Sequence, residues 1–182
     1  MKNKIDLDAI NDFILKENNL TQPIYYNNPQ KTLRFDLKTQ GEYDNQVFIR
    51  SLFKEFFCPN NIMYLVSYYG GGSFKPAIAK KYFNKFSLAK VLTCHYQSID
   101  TGCDIENPYL TVYCTYVSNF RKEKYLKDLV NSELKAEITF VSWKRGAAIN
   151  FYSEDGCDVF IDDEQFLQYI KNKYSERLLT KN

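Results

Sequence analysis

Six carboxylates crowd one stretch near the end of this 182-residue chain: Glu154, Asp155, Asp158, Asp162, Asp163 and Glu164 fall within eleven residues that contain no Lys or Arg. Carboxylate oxygens are hard ligands, so Asp155, Asp158 and Asp162 invite a cation site. Their spacing follows no calcium-loop pattern, however, and spreads them along extended chain. The other reading is a surface of strongly negative potential, able to steer and hold a basic partner.

The single histidine, His95, directly follows Cys94. In extended chain adjacent side chains point to opposite faces, so these two cannot serve each other as nucleophile and base. An enzyme reading needs Cys94 or His95 to meet a carboxylate such as Asp104, or His95 to meet Cys103, Cys58 or Cys114 through the fold, and no local signature marks such a pairing. Cys94, His95, Cys103 and Asp104 have zinc-ligand chemistry, but their spacing matches none of the paired patterns of zinc sites. Gly70-Gly71-Gly72 is followed by neither a Gly-Lys-Ser/Thr nor a G-x-G-x-x-G sequence and reads as a turn. We therefore expect no catalytic residues, no metal site and no cofactor.

Between Gly70 and Ile99 stand Lys75, Lys80, Lys81, Lys85 and Lys90 without any carboxylate, interleaved with Phe74, Tyr82, Phe83 and Phe86. Lysines beside aromatic platforms would suit single-stranded RNA, as in an RNA-binding accessory protein. The same aromatics fit the inner face of a short helix whose lysines are solvated, and this is the reading we prefer.

The elements that must position these groups follow from periodicity and turn chemistry. Leu7, Ile10, Phe13 and Ile14 share one face of an amphipathic helix over Asp6 to Asn18. Thr32 to Leu37 reads as a strand. A helix from Asp44 carries Ile49, Leu52, Phe53 and Phe56 until Cys58-Pro59 stops it, and Ile62 to Tyr69 reads as a buried strand. Pro76 suits the first turn of a short helix through Phe83, Lys85 to Pro108 resists assignment, and Tyr109 to Val117 alternates as a strand. Ser118 or Asn119 is expected to cap a helix with Leu126, Leu129 and Val130 inward. Glu137 to Trp143, Ala147 to Tyr152 and Cys157 to Ile161 form an antiparallel meander with a tight turn at Glu154-Asp155-Gly156. Asp162 or Asp163 then caps a last helix bearing Leu167, Ile170, Tyr174 and Leu178. The expectation is one domain over 1–182 of the α/β class, α+β in type, with a largely antiparallel sheet and helices packed on it.

Composition agrees: 45% hydrophobic, 25% charged and a net charge of +2, which argues against a dedicated nucleic-acid binder. No apolar run approaches the roughly 20 residues of a membrane-spanning helix, and the first residues lack the apolar core of a signal peptide. Five cysteines at irregular spacing fit reduced thiols. Together these place the chain in a cytoplasm.

The run Ile149 to Phe160, with Tyr152, Asp155, Gly156, Asp158 and Val159 in a Tyr-x-x-Asp-Gly-x-Asp-Val arrangement, followed by Tyr169, Tyr174 and Leu178-Leu179, resembles the C-terminal signature of the bacterial family called domain of unknown function 3885. Leu33-Arg34-Phe35-Asp36-Leu37 and Ile62-Met63-Tyr64-Leu65-Val66 are similar to that family's first strands. The resemblance implies the fold and a bacterial source and carries no established activity.

From the residues themselves we expect a cytoplasmic immunity protein that binds and neutralises a cognate toxin, a basic nuclease domain, through Glu154, Asp155, Asp158, Asp162, Asp163 and Glu164. A thiol- or metal-dependent hydrolase and the RNA-binding protein are the alternatives.

Overall fold

Phe140, Ile149, Phe151, Val159 and Ile161 alternate along their strands and lie in one hydrophobic cluster with Phe48, Ile49, Leu52, Phe53 and Phe56, which recur at helical spacing. This meeting of a period-two face with a period-3.6 stripe organises the molecule. The structure, a computed structural model, describes residues 13, 28–38, 41–58, 61–69, 80–93, 109–131, 138–153 and 156–179.

The strands are β1 (Thr32–Asp36), β2 (Ile62–Tyr69), β3 (Ser87–Thr93), β4 (Tyr109–Tyr116), β5 (Thr139–Ser142), β6 (Ala147–Ser153) and β7 (Gly156–Ile161). The helices are α1 (Glu42–Phe56), α2 (Lys122–Val130) and α3 (Glu164–Lys173). The strands make one open sheet in the order β1-β7-β6-β5-β2-β4-β3, with antiparallel pairing throughout. The α+β class and the C-terminal meander β5-β6-β7 are as expected.

The cluster takes Leu33 and Phe35 from β1, Met63 and Leu65 from β2, Tyr125, Leu126 and Leu129 from α2, and Ile170 from α3. The opposite face of the sheet is buried too: Tyr64, Val141, Ala148 and Phe160 are all covered, and the buried Phe13 ring sits edge-on to Phe160 at 6.0 Å. Phe13 is the one described residue of the expected first helix, which otherwise lies outside the described residues.

Helix ends are closed by specific groups. Ser142 Oγ donates to the Phe56 carbonyl (2.8 Å) at the end of α1, which satisfies an acceptor that the helix itself leaves open. Asp163 Oδ1 accepts from Phe166 N at the start of α3, so of the two expected caps it is Asp163 that serves. Beyond α3 the chain turns through Ser175–Arg177, and Leu179 N donates to Arg34 O (2.9 Å) beside a bridge between Phe35 and Leu178. The last described residues thus cover the outer edge of β1, a common way of blunting an exposed strand edge. Leu178 therefore belongs to this strap rather than to the helix expected to carry it.

One unassigned stretch is filled and two further expectations need correction. A strand, β3, occupies part of the unassigned stretch Lys85 to Pro108, and its register shifts between Leu88 and Lys90, which interrupts the alternation that would have marked it. Ser118 and Asn119 do not cap α2. They lie in a short 3-10 turn, and the residue preceding the helix is Arg121, with no side-chain cap bond. The reason lies in Phe120, whose ring stacks on Phe83 at 5.1 Å while Arg121 N donates to Tyr82 O, so the chain dips into the core before the helix starts. Of the short helix from Pro76, the described part is Lys80 to Tyr82, and Phe83 bridges to Phe120 instead of continuing it.

That segment is tied to α2 by a buried carboxylate. Tyr82 Oη donates to Asp128 Oδ2 (2.8 Å), and the Lys81 ammonium pairs with the same oxygen. Burial acts to raise the Asp128 pKa, but hydrogen bonds from Lys81 and Tyr82 outweigh it and hold the carboxyl below its ordinary 3.8. A depressed carboxylate contributes stability that is present above its unfolded value and is lost as pH falls through the folded one. Asp128→Asn is accordingly expected to cost about 1–2 kcal/mol at pH 7, a deficit that closes only below about pH 4. Urea denaturation of both proteins at pH 7, 5 and 3 checks it; an equal deficit at all three would contradict the assignment.

Candidate functional site

The acidic run does not form one surface. Glu154 and Asp155 lie outside the described residues. Asp158 sits on the second face of β7 with 1% of its surface exposed, where Arg34 Nε donates to Oδ1 at 3.1 Å. Strand register aligns Arg34 with Asp158, Asp158 with Asn150, and Asn150 with Thr139. Asn150 Nδ2 donates to Thr139 Oγ1 (3.2 Å), so a polar row crosses four neighbouring strands inside the protein. Buried polar groups require such partners, and Asp158 is consumed by this row. Its expected place on a contact surface is corrected.

Asp162, Asp163 and Glu164 are exposed at the corner where β7 turns into α3. Lys31 Nζ lies 2.5 Å from Asp162 Oδ1, and Asp163 spends one oxygen on its cap. The neighbouring hairpin is clasped onto this corner: Asp162 N donates to Gly146 O (2.9 Å), and Gly146 N to Trp143 O (3.1 Å). Gly146 holds φ +55°, a left-handed conformation that glycine adopts without strain, and a Cβ there would lie 3.4 Å from Asp162 Cβ.

This turn brings in residues that sequence reasoning did not single out. Trp143, 40% exposed, stands edge-on to Phe13 at 5.3 Å. The Arg145 guanidinium lies 5.3 Å over Phe166, which stacks on Tyr169 at 6.1 Å. Tyr169 is 46% exposed, and its hydroxyl accepts from Lys173 Nζ (2.8 Å). Glu55 first, then Tyr169, raise the Lys173 pKa through hydrogen bonds, so the ammonium is held charged. The signal that would have found the corner is the one tryptophan of the chain placed next to Lys144-Arg145-Gly146. An aromatic residue in a hairpin turn, ahead of a glycine suited to positive φ, is displayed rather than buried. The corner is therefore mixed in sign, with Lys31, Lys144 and Arg145 set among the carboxylates.

Cys94, His95, Cys103 and Asp104 lie outside the described residues, as does Lys75; Cys58 is exposed, Cys114 half-buried and Cys157 buried. Among the described residues no three His, Cys, Asp or Glu stand together as metal ligands. Tyr82 and Phe83 are at most 1% exposed and cannot serve as platforms for bases.

The fold and this corner describe an α+β protein on an open antiparallel sheet, with a compact patch of aromatic and charged side chains displayed where the meander meets its last helix. The chain belongs to the family described as Domain of unknown function (DUF3885), whose model matches residues 10–182. Comparison with curated proteins and with solved structures gave no match. Among the described residues no helix is long and apolar enough to cross a membrane.

Proposed function

We propose that this chain is an immunity protein, acting in the cytosol by stoichiometric capture of one toxin domain, a nuclease, of the kind exchanged between competing bacteria. The observation that carries the reading is the corner: Asp162, Asp163 and Glu164 are exposed where backbone hydrogen bonds tie the start of α3 to the turn bearing the exposed Trp143, and Tyr169 is exposed further along α3. A nuclease must gather cations to hold phosphate. Carboxylates presented to those cations steer the encounter, and aromatic anchors supply the burial that makes a complex last. Lys144 and Arg145 add selectivity, since a partner must match both signs in the right register.

The test is co-expression with the product of the adjacent upstream gene, followed by purification of the complex. A stable 1:1 complex is expected; a neighbour that is neither toxic nor bound would overturn the proposal. Within that complex, the double variant Asp163→Ser, Glu164→Gln removes two charges while keeping a capping hydroxyl. It is expected to slow association about three- to tenfold at low salt with little change in dissociation, a shift that stopped-flow mixing at two ionic strengths would register.

A further inference from the structure

A cavity of about 250 Å³ opens between β2, β4 and the turn that follows β4. Ile62, Phe86, Cys114 and Tyr116 give it apolar walls. Its polar lining is Lys85, Thr115 and Asn119, and two of these are already engaged with each other: Thr115 Oγ1 donates to the Lys85 carbonyl and Asn119 Nδ2 donates to Thr115 Oγ1 (3.3 Å). The Lys85 ammonium is different. The side chain is exposed and makes no ion pair with any described residue, and among the described residues no carboxylate lines the cavity. Burial pushes the Cys114 thiol up, so this wall stays neutral and apolar.

We propose that this cavity is a binding site for a small organic carboxylate, with one aromatic ring or a short alkyl chain held between Phe86 and Tyr116 and its carboxylate paired with Lys85. Size supports the class: a dry apolar cavity of about 150 Å³ already admits benzene, so the larger space here takes a ring plus a short linker. Charge supports it as well, because Lys85 is the one charged residue among the described lining, and a charged group in an otherwise apolar pocket fixes the orientation of an amphiphilic anion. Sheet pairing of Ile62 with Tyr116 and of Ser87 with Cys114 fixes the backbone that carries the strand part of the walls. None of its residues belongs to the corner proposed to bind protein, and either site can fail without the other.

The test is a heteronuclear NMR titration of the full chain with 3-phenylpropionate and, separately, with its neutral amide. Saturable shifts are expected at the amides of Phe86, Cys114, Thr115 and Asn119 for the acid, with the amide at least about fivefold weaker. Lys85→Met, at an exposed position that leaves the fold intact, should abolish that preference and leave the amide's own binding unchanged. Absence of saturable shifts at these residues, equal binding of acid and amide, or a preference that survives Lys85→Met would each overturn the proposal.

Discussion

Phe53→Ala is expected to destabilise the protein by about 4 kcal/mol, within the range of about 3–5 seen for phenylalanine truncation in packed cores. Phe53 is the hub of the aromatic cluster. Its ring lies 5.1 Å from Phe57, 5.5 Å from Phe120 and 5.1 Å from Phe140, and stacks on Phe151 at 5.9 Å with planes 7° apart. These partners come from the end of α1, the turn before α2, β5 and β6, so the vacated volume cannot be closed by shifting one side chain. Natural domains are stable by only about 5–15 kcal/mol. The loss should therefore lower the thermal midpoint by roughly 8–16 °C for a chain of this size. A calorimetric decrease of under 3 °C, on the order of a surface substitution, would mean that this cluster does not organise the core.

The second large effect concerns the polar row beneath the sheet. Arg34→Ala is expected to cost about 3 kcal/mol, because it leaves the Asp158 carboxylate buried without its guanidinium. Asp158→Ala should cost somewhat less, since Arg34 keeps access to solvent along part of its length, with 27% of its side chain exposed. Replacing both by apolar residues, Arg34→Met with Asp158→Leu, is expected to recover much of the loss, as removing both members of a buried pair avoids the stranded charge. Denaturant midpoints of the three variants check the order. If Asp158→Ala left stability unchanged and only weakened a protein complex, the aspartate would belong to a contact surface after all.

That order bears on what the amino-acid pattern could reveal. Strands β2, β6 and β7 and helices α1 and α3 were legible because their apolar residues repeat at the period of the element and glycine, proline or capping residues mark their ends. Asp158 was not legible as an interior residue. Alternation places it opposite Cys157 and Val159 on β7, and a strand with one solvated face would display it. Here both faces are covered, so all of Gly156–Ile161 is buried and the charge must be met by Arg34, which lies 124 residues earlier in the chain. Pairing at that distance depends on β1 docking beside β7, a choice that no local signal records. The same holds for the corner. The acidic residues stood out as a run, yet Lys31 reaches Asp162 from a distant loop, and Trp143 and Arg145 arrive through the β5-β6 turn. β3 escaped notice for a local reason, since its bulge shifts the alternation partway along the strand.

Growth of cells making the product of the adjacent gene, together with either the wild-type chain or a variant carrying Trp143→Ala, Asp163→Ser and Glu164→Gln, weighs the whole account at once. The wild-type chain should restore growth, and the variant, provided its unfolding free energy stays within about 1 kcal/mol of wild type, should fail to do so. Rescue undiminished by the triple change, or rescue achieved without a complex between the two proteins, would contradict neutralisation by binding at this corner.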